Sequence, residues 1–317
     1  MIKKFLHRNL RSENKSGEKT NRSSVGNIFK KFFRRGIRTK KINRSIGGNI
    51  MLFIFLALAG TFMFLPMAYT IINAFKPLDE LFIYPPRFFV ISPTTDNFVS
   101  MFQLISNMWV PFSRYIFNTV FITIVGTIVC VYISSMAAYP LAKLNFKGKV
   151  VLYGLIIMAL LFTDQVTNIP RYIVMKYVGI INTYFAVLFP IFSGSLGVFL
   201  MERFMTQFPN EAIEASKIDG ASNFMTFNKV VMPSLKPAWL TLAIFTFTSA
   251  WNNTSNDVLY SENIKMLPTV LMQIANGGFA RVGVGSAVAL VLLIPPFVFF
   301  ALVQSQVIET MAHSGLK

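Results

Sequence analysis

Residues 211–222 read Glu-Ala-Ile-Glu-Ala-Ser-Lys-Ile-Asp-Gly-Ala-Ser, a polar stretch that lies between two long apolar segments. Asn210 is a residue type that begins helices and Gly220 is one that ends them, so the stretch predicts a short helix. This helix is too polar to cross a bilayer and has no place in a soluble core. A docking partner is therefore the natural reason for it to be ordered.

The chain around this stretch has the composition of a membrane protein. It is 54% hydrophobic and 14% charged, whereas soluble domains are roughly 25% charged. A helix needs about 20 apolar residues to cross the hydrocarbon. Six spans are predicted on this basis, the fifth of them short: Ile50–Ile72, Tyr115–Ala138, Val150–Phe162 extended by Thr163–Ile169, Tyr184–Met201, Ala238–Trp251 and Val284–Val303.

The lysine and arginine residues predict the orientation. Fifteen of the 30 lie in residues 1–48, and the short loop 141–149 adds three more. With the N-terminal segment inside, 23 of the 30 lie in segments on the inner side. Both termini are therefore predicted to be cytoplasmic.

Most of the net charge of +17 belongs to the basic tail, residues 1–48. Ile28, Phe29, Phe32, Phe33 and Ile37 recur at helical spacing among basic residues, which favours a helix on the anionic inner leaflet. A flank that merely sets the topology explains the tail equally well. Nucleic-acid binding is disfavoured, because the tail carries no folded recognition module.

Catalytic and metal-binding patterns are missing from the sequence. The chain has no P-loop motif, and its two histidines, His7 and His313, stand at opposite ends. The single cysteine, Cys130, excludes an intrachain disulfide. Asp164 is the one acid within the predicted spans, in the extension of the third, and it is interpreted as an interfacial residue at a helix end. The pattern indicates a passage that is driven by another protein.

A known family shares the residues that follow. Glu214-Ala-Ser, Gly220 and Val230-Val-Met-Pro233 resemble, in type and spacing, the EAA motif of the membrane subunits of binding-protein-dependent ATP-binding-cassette (ABC) importers. The stretches Ile169-Pro-Arg-Tyr172 and Gly179-Ile-Ile-Asn-Thr183 resemble the carbohydrate-uptake branch, and within it the smaller permease of maltose-type transporters. The likeness covers about residues 50–317.

This resemblance implies an all-α, polytopic membrane protein with six transmembrane helices and the type I ABC importer permease fold. Residues 49–317 would form the permease domain, with an EAA coupling loop at about 202–236, in the bacterial cytoplasmic membrane. The implied partners are a second homologous permease, two ABC ATPase subunits, an extracytoplasmic solute-binding protein and membrane lipid. ATP and Mg²⁺ would be bound by the ATPases, so that this chain binds no cofactor or metal and is not itself an enzyme.

The resemblance also implies which residues dock onto an ATPase. Glu214 is the expected partner of an ATPase arginine, and small residues allow close packing. The implied docking residues are Glu211, Glu214, Ala215, Ser216, Asp219, Gly220 and Ala221. Ser216 stands where the family more often has alanine.

Two further regions are candidates for contact with the solute or its binding protein. Trp251, Asn252 and Asn253 place an aromatic ring beside amides, a combination that suits sugars, although an interfacial tryptophan explains Trp251 as well. Asn276, Gly277, Gly278 and Phe279 correspond to a loop that maltose-type permeases send into the binding protein, and a plain turn explains them equally well.

Three functions stay open at this point. The first is a permease for sugars, such as oligosaccharides or polysaccharide fragments. The second is an importer permease for another solute, such as glycerol phosphate or an amino acid. The third is a self-sufficient channel or secondary carrier, which leaves the EAA-like motif unexplained.

Overall fold

The computed structural model describes residues 46–254, 257–278 and 281–314. The predicted amphipathic segment of the tail and Phe279 lie outside these ranges. The chain divides into two units, residues 1–63 and 64–317. In the first unit, the described residues from Gly47 to Met63 are apolar except for Asn49 and Thr61, and nearly all are exposed, which suits a helix in hydrocarbon.

Within the described residues the structure is helical. Short 3₁₀ and π turns (Glu262–Ile264 and Phe227–Val231) join some of the helices. The α-helices are α1 Ile46–Ala74, α2 Leu78–Leu81, α3 Asp96–Ser106, α4 Phe112–Lys143, α5 Lys149–Leu160, α6 Asp164–Val178, α7 Tyr184–Phe192, α8 Ser195–Thr206, α9 Asn210–Ile218, α10 Asn223–Thr226, α11 Met232–Ser234, α12 Lys236–Trp251, α13 Leu267–Ala275 and α14 Val282–Ser314.

Four stretches of the described chain are long and apolar enough to cross a membrane as they stand. They are Gly47–Ala74, Phe112–Lys143, Tyr184–Thr206 and Val282–Val307. Two further spans exist if each of two bent helix pairs is counted as one. The six predicted spans therefore correspond to four helical stretches and two bent pairs.

The third predicted span, drawn as one continuous helix, is broken in the structure. Helices α5 and α6 meet at an angle of 111°. Thr163 is extended and Asp164 opens the new helix, as expected for a cap-forming residue followed by an acid at the positive end of a helix dipole. The turn at Gly179, with φ of 76°, ends α6.

The fifth predicted span also has a bend. The segment Asn223–Ser234 meets α12 at 82°, and the break lies at Leu235. Pro233 lies just before that break, and Pro237 lies in the first turn of α12, where a missing N–H costs nothing. Ala238–Trp251 is shorter than a full span, and Pro233 and Ser234, which precede it, lie in the segment that points in another direction.

Helix α4 forms the axis of the larger unit, and small residues let its neighbours approach closely. A Cβ atom placed on Gly197 of α8 would lie 2.5 Å from Ser134 Oγ and 3.3 Å from Leu242 Cδ1. On Gly126 it would lie 3.1 Å from Ile191 Cγ2 of α7. Glycine and serine at such crossings are typical of helix packing in membranes. One end of α4 lies beside α9, and its other end lies beside the loop that follows α12.

Candidate functional site

Helix α9 is anchored by its apolar face at one end of α4. Pro209 precedes it in an extended conformation, so Asn210 is the first helical residue rather than the cap predicted from the sequence. Ile213 and Ser216 are buried, and Ile213 packs in one cluster with Tyr139, Met205 and other apolar side chains. The helix therefore has a definite inward side.

Ser216 makes hydrogen bonds that alanine could not make. Its hydroxyl donates to the Ile213 carbonyl at 2.7 Å and lies 2.9 Å from Thr226 Oγ1. The side chains of Ser216 and Thr226 are both buried, so their hydroxyl groups satisfy each other by hydrogen bonding. The serine fastens α9 to α10, which the sequence pattern did not indicate.

The turn after α9 needs glycine. Gly220 has φ of 81°, a left-handed conformation that costs other residues energy. The Ala221 N–H reaches back to the Ser216 carbonyl at 3.0 Å, and the Asp219 N–H to the Ala215 carbonyl at 3.1 Å. Ser222 then caps α10 by accepting the Met225 N–H at 3.2 Å. The chain reverses within a few residues.

The other side of α9 faces outward. Glu211, Glu214 and Ala215 are exposed, as are Asp219 and Gly220 just after the helix. Ile218 is 87% exposed, and beyond the turn Phe224 is 61% exposed. Among the described residues, this is a surface where carboxylates stand beside uncovered apolar side chains, as in many docking surfaces.

Lys143, the last residue of α4, holds the corner that leads into α9. Its ammonium group donates to the Phe208 carbonyl at 2.5 Å, to Asn210 Oδ1 at 2.8 Å and to the Thr206 carbonyl at 3.4 Å. These contacts satisfy acceptors at the end of α8 and the start of α9. Lys143 was not singled out from the sequence, where it is one basic residue in a short loop.

Replacing Lys143 by methionine is expected to loosen this corner while keeping the length of the side chain. Hydrogen bonds from a charged donor contribute about 1.5–3 kcal/mol, so amide exchange over residues 208–213 should rise about tenfold or more. Exchange monitored by mass spectrometry measures this. Lys147→Met, in the same loop and exposed, is the control; equal exchange in both variants would contradict the assigned role.

A buried carboxylate joins α5 to α8 close to the same corner. Glu202 is 8% exposed and accepts hydrogen bonds from the Tyr153 hydroxyl and the Thr206 hydroxyl, both at 3.0 Å. Arg203 Nε lies 3.6 Å from Glu202, and its guanidinium lies over the rings of Tyr153 and Phe199. Glu202 was not predicted from the sequence, although an adjacent Glu-Arg pair at the end of an apolar span is a signal that could have located it.

A cleft of about 760 Å³ opens at the other end of the helices, among α6, α7, α12 and the loop that follows α12. Ser249, Asn252 and Asn253 line one side, and Asn168 and Arg171 line the other. The remaining lining residues are Asp164, Ile169, Tyr172, Met175, Ala186, Val187, Pro190, Thr254, Asp257 and Val258. The surfaces of α1 and α14, by contrast, expose mainly apolar side chains.

An ion pair lies on the α6 side of the cleft. Arg171 Nη2 lies 2.8 Å from Asp164 Oδ1 and 3.2 Å from Thr167 Oγ1. The Asp164 side chain is 84% exposed and that of Arg171 is 36% exposed. Asp164 therefore lies at a helix end, as interpreted from the sequence, and lines a polar cleft beside a cation.

The predicted solute-contact residues separate in the structure. Asn252 and Asn253 line the cleft, whereas Trp251 is 6% exposed and lies behind them. The Trp251 indole N–H donates to the Leu292 carbonyl of α14 at 3.1 Å, and its ring stacks on Phe247. The ring packs α12 against α14 and does not reach the cleft.

The loop behind the cleft is fastened at several points. Asn182, with φ of 60°, accepts the N–H groups of Tyr260 at 3.0 Å and Ser261 at 2.8 Å. The hydroxyl groups of Tyr172 and Tyr260 lie 2.9 Å apart, and this hydrogen bond raises the pKa of Tyr260. These contacts hold α6 and the loop in one arrangement.

Helix α4 anchors the same loop from the inside. Asn118 Nδ2 donates to the carbonyls of Asn263 at 2.9 Å and Lys265 at 3.0 Å. Thr119 accepts the Leu267 N–H at 2.7 Å. Since α4 also carries Lys143, one helix positions both the corner before α9 and the loop behind the cleft.

The other predicted loop residues follow α13. Asn276, Gly277 and Gly278 are exposed, and Gly278 has φ of 101°. They form a tight turn at the end of the helix. Among the described residues, no group of three potential metal ligands comes together.

Comparison with known proteins assigns the larger unit to a family. Residues 130–310 match the family model described as "Binding-protein-dependent transport system inner membrane component". Protein LplC of Bacillus subtilis is 33% identical over 212 residues, which are 65% of this chain and 68% of LplC. The arabinooligosaccharides transport system permease protein AraQ of Halalkalibacterium halodurans is 28% identical over 84% of this chain and 94% of AraQ.

Two further proteins extend the comparison. The polygalacturonan/rhamnogalacturonan transport system permease protein YtcP of Bacillus subtilis is 26% identical, over 81% of this chain and 93% of YtcP. A chain of a solved bacterial ABC transporter, involved in the import of the acidic polysaccharide alginate, superposes with a TM-score of 0.67. The two chains are 20% identical, and the superposition covers 84% of this chain and 99% of the transporter chain. At this identity the likeness concerns the fold.

Proposed function

Because this chain belongs to the family of binding-protein-dependent transport system inner membrane components, we propose that it is a permease subunit of an ATP-driven importer of sugars. Helix α9 carries the proposal. It is a short polar helix with a buried anchoring face, an exposed acidic face and a glycine turn, placed between the fourth span and the bent fifth span. A self-sufficient channel has no use for such a surface.

The sugar assignment rests on two supports. AraQ and YtcP, which this chain matches over nearly their whole length, are named for oligosaccharide and polysaccharide transport. The cleft adds amide, hydroxyl and charged side chains, which can bind the many hydroxyl groups of a sugar. Glycerol phosphate or an amino acid is the second candidate class, and the names of these relatives disfavour it.

In the proposed mechanism this chain pairs with a second permease in a bacterial cytoplasmic membrane, both of its termini inside. A binding protein delivers the sugar from outside, and two ATPase subunits hold ATP and Mg²⁺. Each ATPase receives one α9, with Glu214 facing an arginine and Ala215, Gly220 and Ala221 in close contact. Closure of the ATPases tilts the two permeases and opens the path on the other side of the membrane.

We assign the remaining residues in the same scheme. Glu211 and Asp219 add negative charge to the docking face, and Ser216 holds the helix in place from behind. Asn252 and Asn253 contact the sugar in the cleft, with Trp251 as their support. We assign contact with the binding protein to the turn Asn276–Gly278 and to the next residue in the sequence, Phe279.

Affinity purification of this chain from its native membrane, with identification of the copurifying proteins, tests the proposal. We expect a second permease, an ABC ATPase and a solute-binding protein, and ATP-dependent sugar uptake when they are reconstituted together. Uptake by this chain alone in liposomes, without any ATPase, would instead establish a channel or carrier. Protease accessibility of tags at each terminus tests the orientation.

A further inference from the structure

We propose that the cleft is a saccharide site of this subunit itself and that it admits uncharged chains in preference to uronates. This inference rests on the proposed function and adds a substrate class to it. The residues that carry it are Asp164, Asn168, Arg171, Tyr172, Asn252 and Asp257, all of which line the cleft.

The hydrogen-bonding groups of the cleft match hydroxyl groups. A sugar hydroxyl donates one hydrogen bond and accepts others. Asn168 and Asn252 each offer a donor and an acceptor, the carboxylates accept, and the guanidinium of Arg171 donates. The volume of about 760 Å³ lies within the range of roughly 300–1,000 Å³ that is usual for ligand sites.

An aromatic wall completes the site. Tyr172 lines the cleft, and its hydroxyl lies 2.9 Å from that of Tyr260. A ring fixed in this way offers apolar surface at low entropic cost, and the C–H groups of a pyranose ring can pack against it. Asn182 holds the backbone of Tyr260 and Ser261, so the wall is formed before any ligand arrives.

The charges of the cleft set the expected preference. Two carboxylates, Asp164 and Asp257, face one cation, Arg171. Arg171 is already paired with Asp164 at 2.8 Å, whereas Asp257 is exposed and adjoins the cleft without an ion pair among the described residues. The net negative charge of the cleft repels a uronate, whereas a neutral sugar chain meets no such electrostatic repulsion.

A cysteine reporter can test the site in the assembled transporter. Ser249 lines the cleft and is exposed, and serine to cysteine is a near-isosteric change. The complete transporter carrying Ser249→Cys is placed in nanodiscs, and modification of this chain by a hydrophilic thiol reagent is timed. The unaltered chain, whose single cysteine is buried, is the blank, and Ser106→Cys, exposed on α3, is the reporter outside the cleft.

The probes are neutral trisaccharides of arabinose, glucose and xylose, and trigalacturonate. We expect at least one neutral probe to slow modification of Ser249→Cys about threefold or more, and trigalacturonate to have no effect. Adding Asp257→Asn should then allow trigalacturonate to protect, whereas Asp79→Asn on α2 should not. Ser106→Cys should react with the thiol reagent at the same rate with and without each of the probes.

Two results would overturn the inference: protection by trigalacturonate alone, or no protection by any of the probes. ATP-driven uptake measured on the same reconstituted transporter separates this failure from failure of the proposed function. If the transporter takes up sugar but no probe protects Ser249→Cys, only the proposed saccharide site in the cleft is refuted. Absence of ATP-driven uptake of any sugar removes the proposed function, whatever the cysteine reports.

Discussion

Replacing Glu214 by lysine is expected to abolish ATP-driven uptake while leaving the protein in the membrane. Glu214 is exposed on α9, away from the buried Ile213 and Ser216, so the change costs the fold of this chain little. In the proposed complex the lysine ammonium would face the ATPase arginine in a desolvated contact. Removing one partner from a buried ion pair costs about 3–5 kcal/mol, which corresponds to at least a hundredfold weaker docking.

Uptake and copurification of the ATPase, both normalised to the amount of this chain in the membrane, measure the effect. Asp79→Lys, an equal charge reversal at an exposed residue of α2, should transport normally. An ATPase variant with the facing arginine changed to glutamate should restore uptake to Glu214→Lys. Normal uptake by Glu214→Lys at normal membrane abundance would remove Glu214 from the docking site.

The second large effect is expected at Gly197, where α4, α8 and α12 meet. Even alanine would place its Cβ 2.5 Å from Ser134 Oγ, so Gly197→Leu must push the helices apart. Overpacking of this kind costs about 1–3 kcal/mol or more. We expect a clear fall in the thermal stability of the purified protein and in its membrane abundance.

Gly154→Leu is the matched control, because a Cβ on Gly154 of α5 meets no atom within 4 Å. A milder pair sharpens the test: Gly197→Ala should destabilise, and adding Ser134→Gly should recover most of the loss, since the serine side chain is the nearest obstacle. If Gly197→Leu were as stable as Gly154→Leu, the close packing of α4 and α8 would not hold in the membrane.

The sequence predicted features that depend on residues close together in the chain. Apolar length located the spans, and the residues from Pro209 to Gly220 located α9 and the turn after it. The break between α5 and α6 escaped prediction because a count of apolar residues does not register that Thr163 and Asp164 can start a new helix. The family resemblance supplied the type I importer permease fold, which composition alone does not set.

The cleft depended on contacts between distant residues. Asn182 meets Tyr260, 78 positions away, and the carbonyl that binds the Trp251 indole belongs to Leu292, 41 positions away. Before the helices are packed, nothing distinguishes Trp251 as a packing residue from Asn252 as a cleft residue. The roles of Lys143 and Glu202 likewise became clear when their acceptors and donors on other helices were known.

Helix α12 touches both regions and thereby makes them thermodynamically dependent on each other. Ala238, near its start, packs in the cluster that contains Ile213 of α9, and Ser249, near its end, lines the cleft. Its 16 residues form a rod of about 24 Å. If docking of α9 onto its proposed partner also favours one tilt of this rod, the solute and the partner change each other's affinity by the same factor. The nucleotide affinity of the assembled transporter would then depend on the solute occupancy of the cleft, before any solute has crossed the membrane.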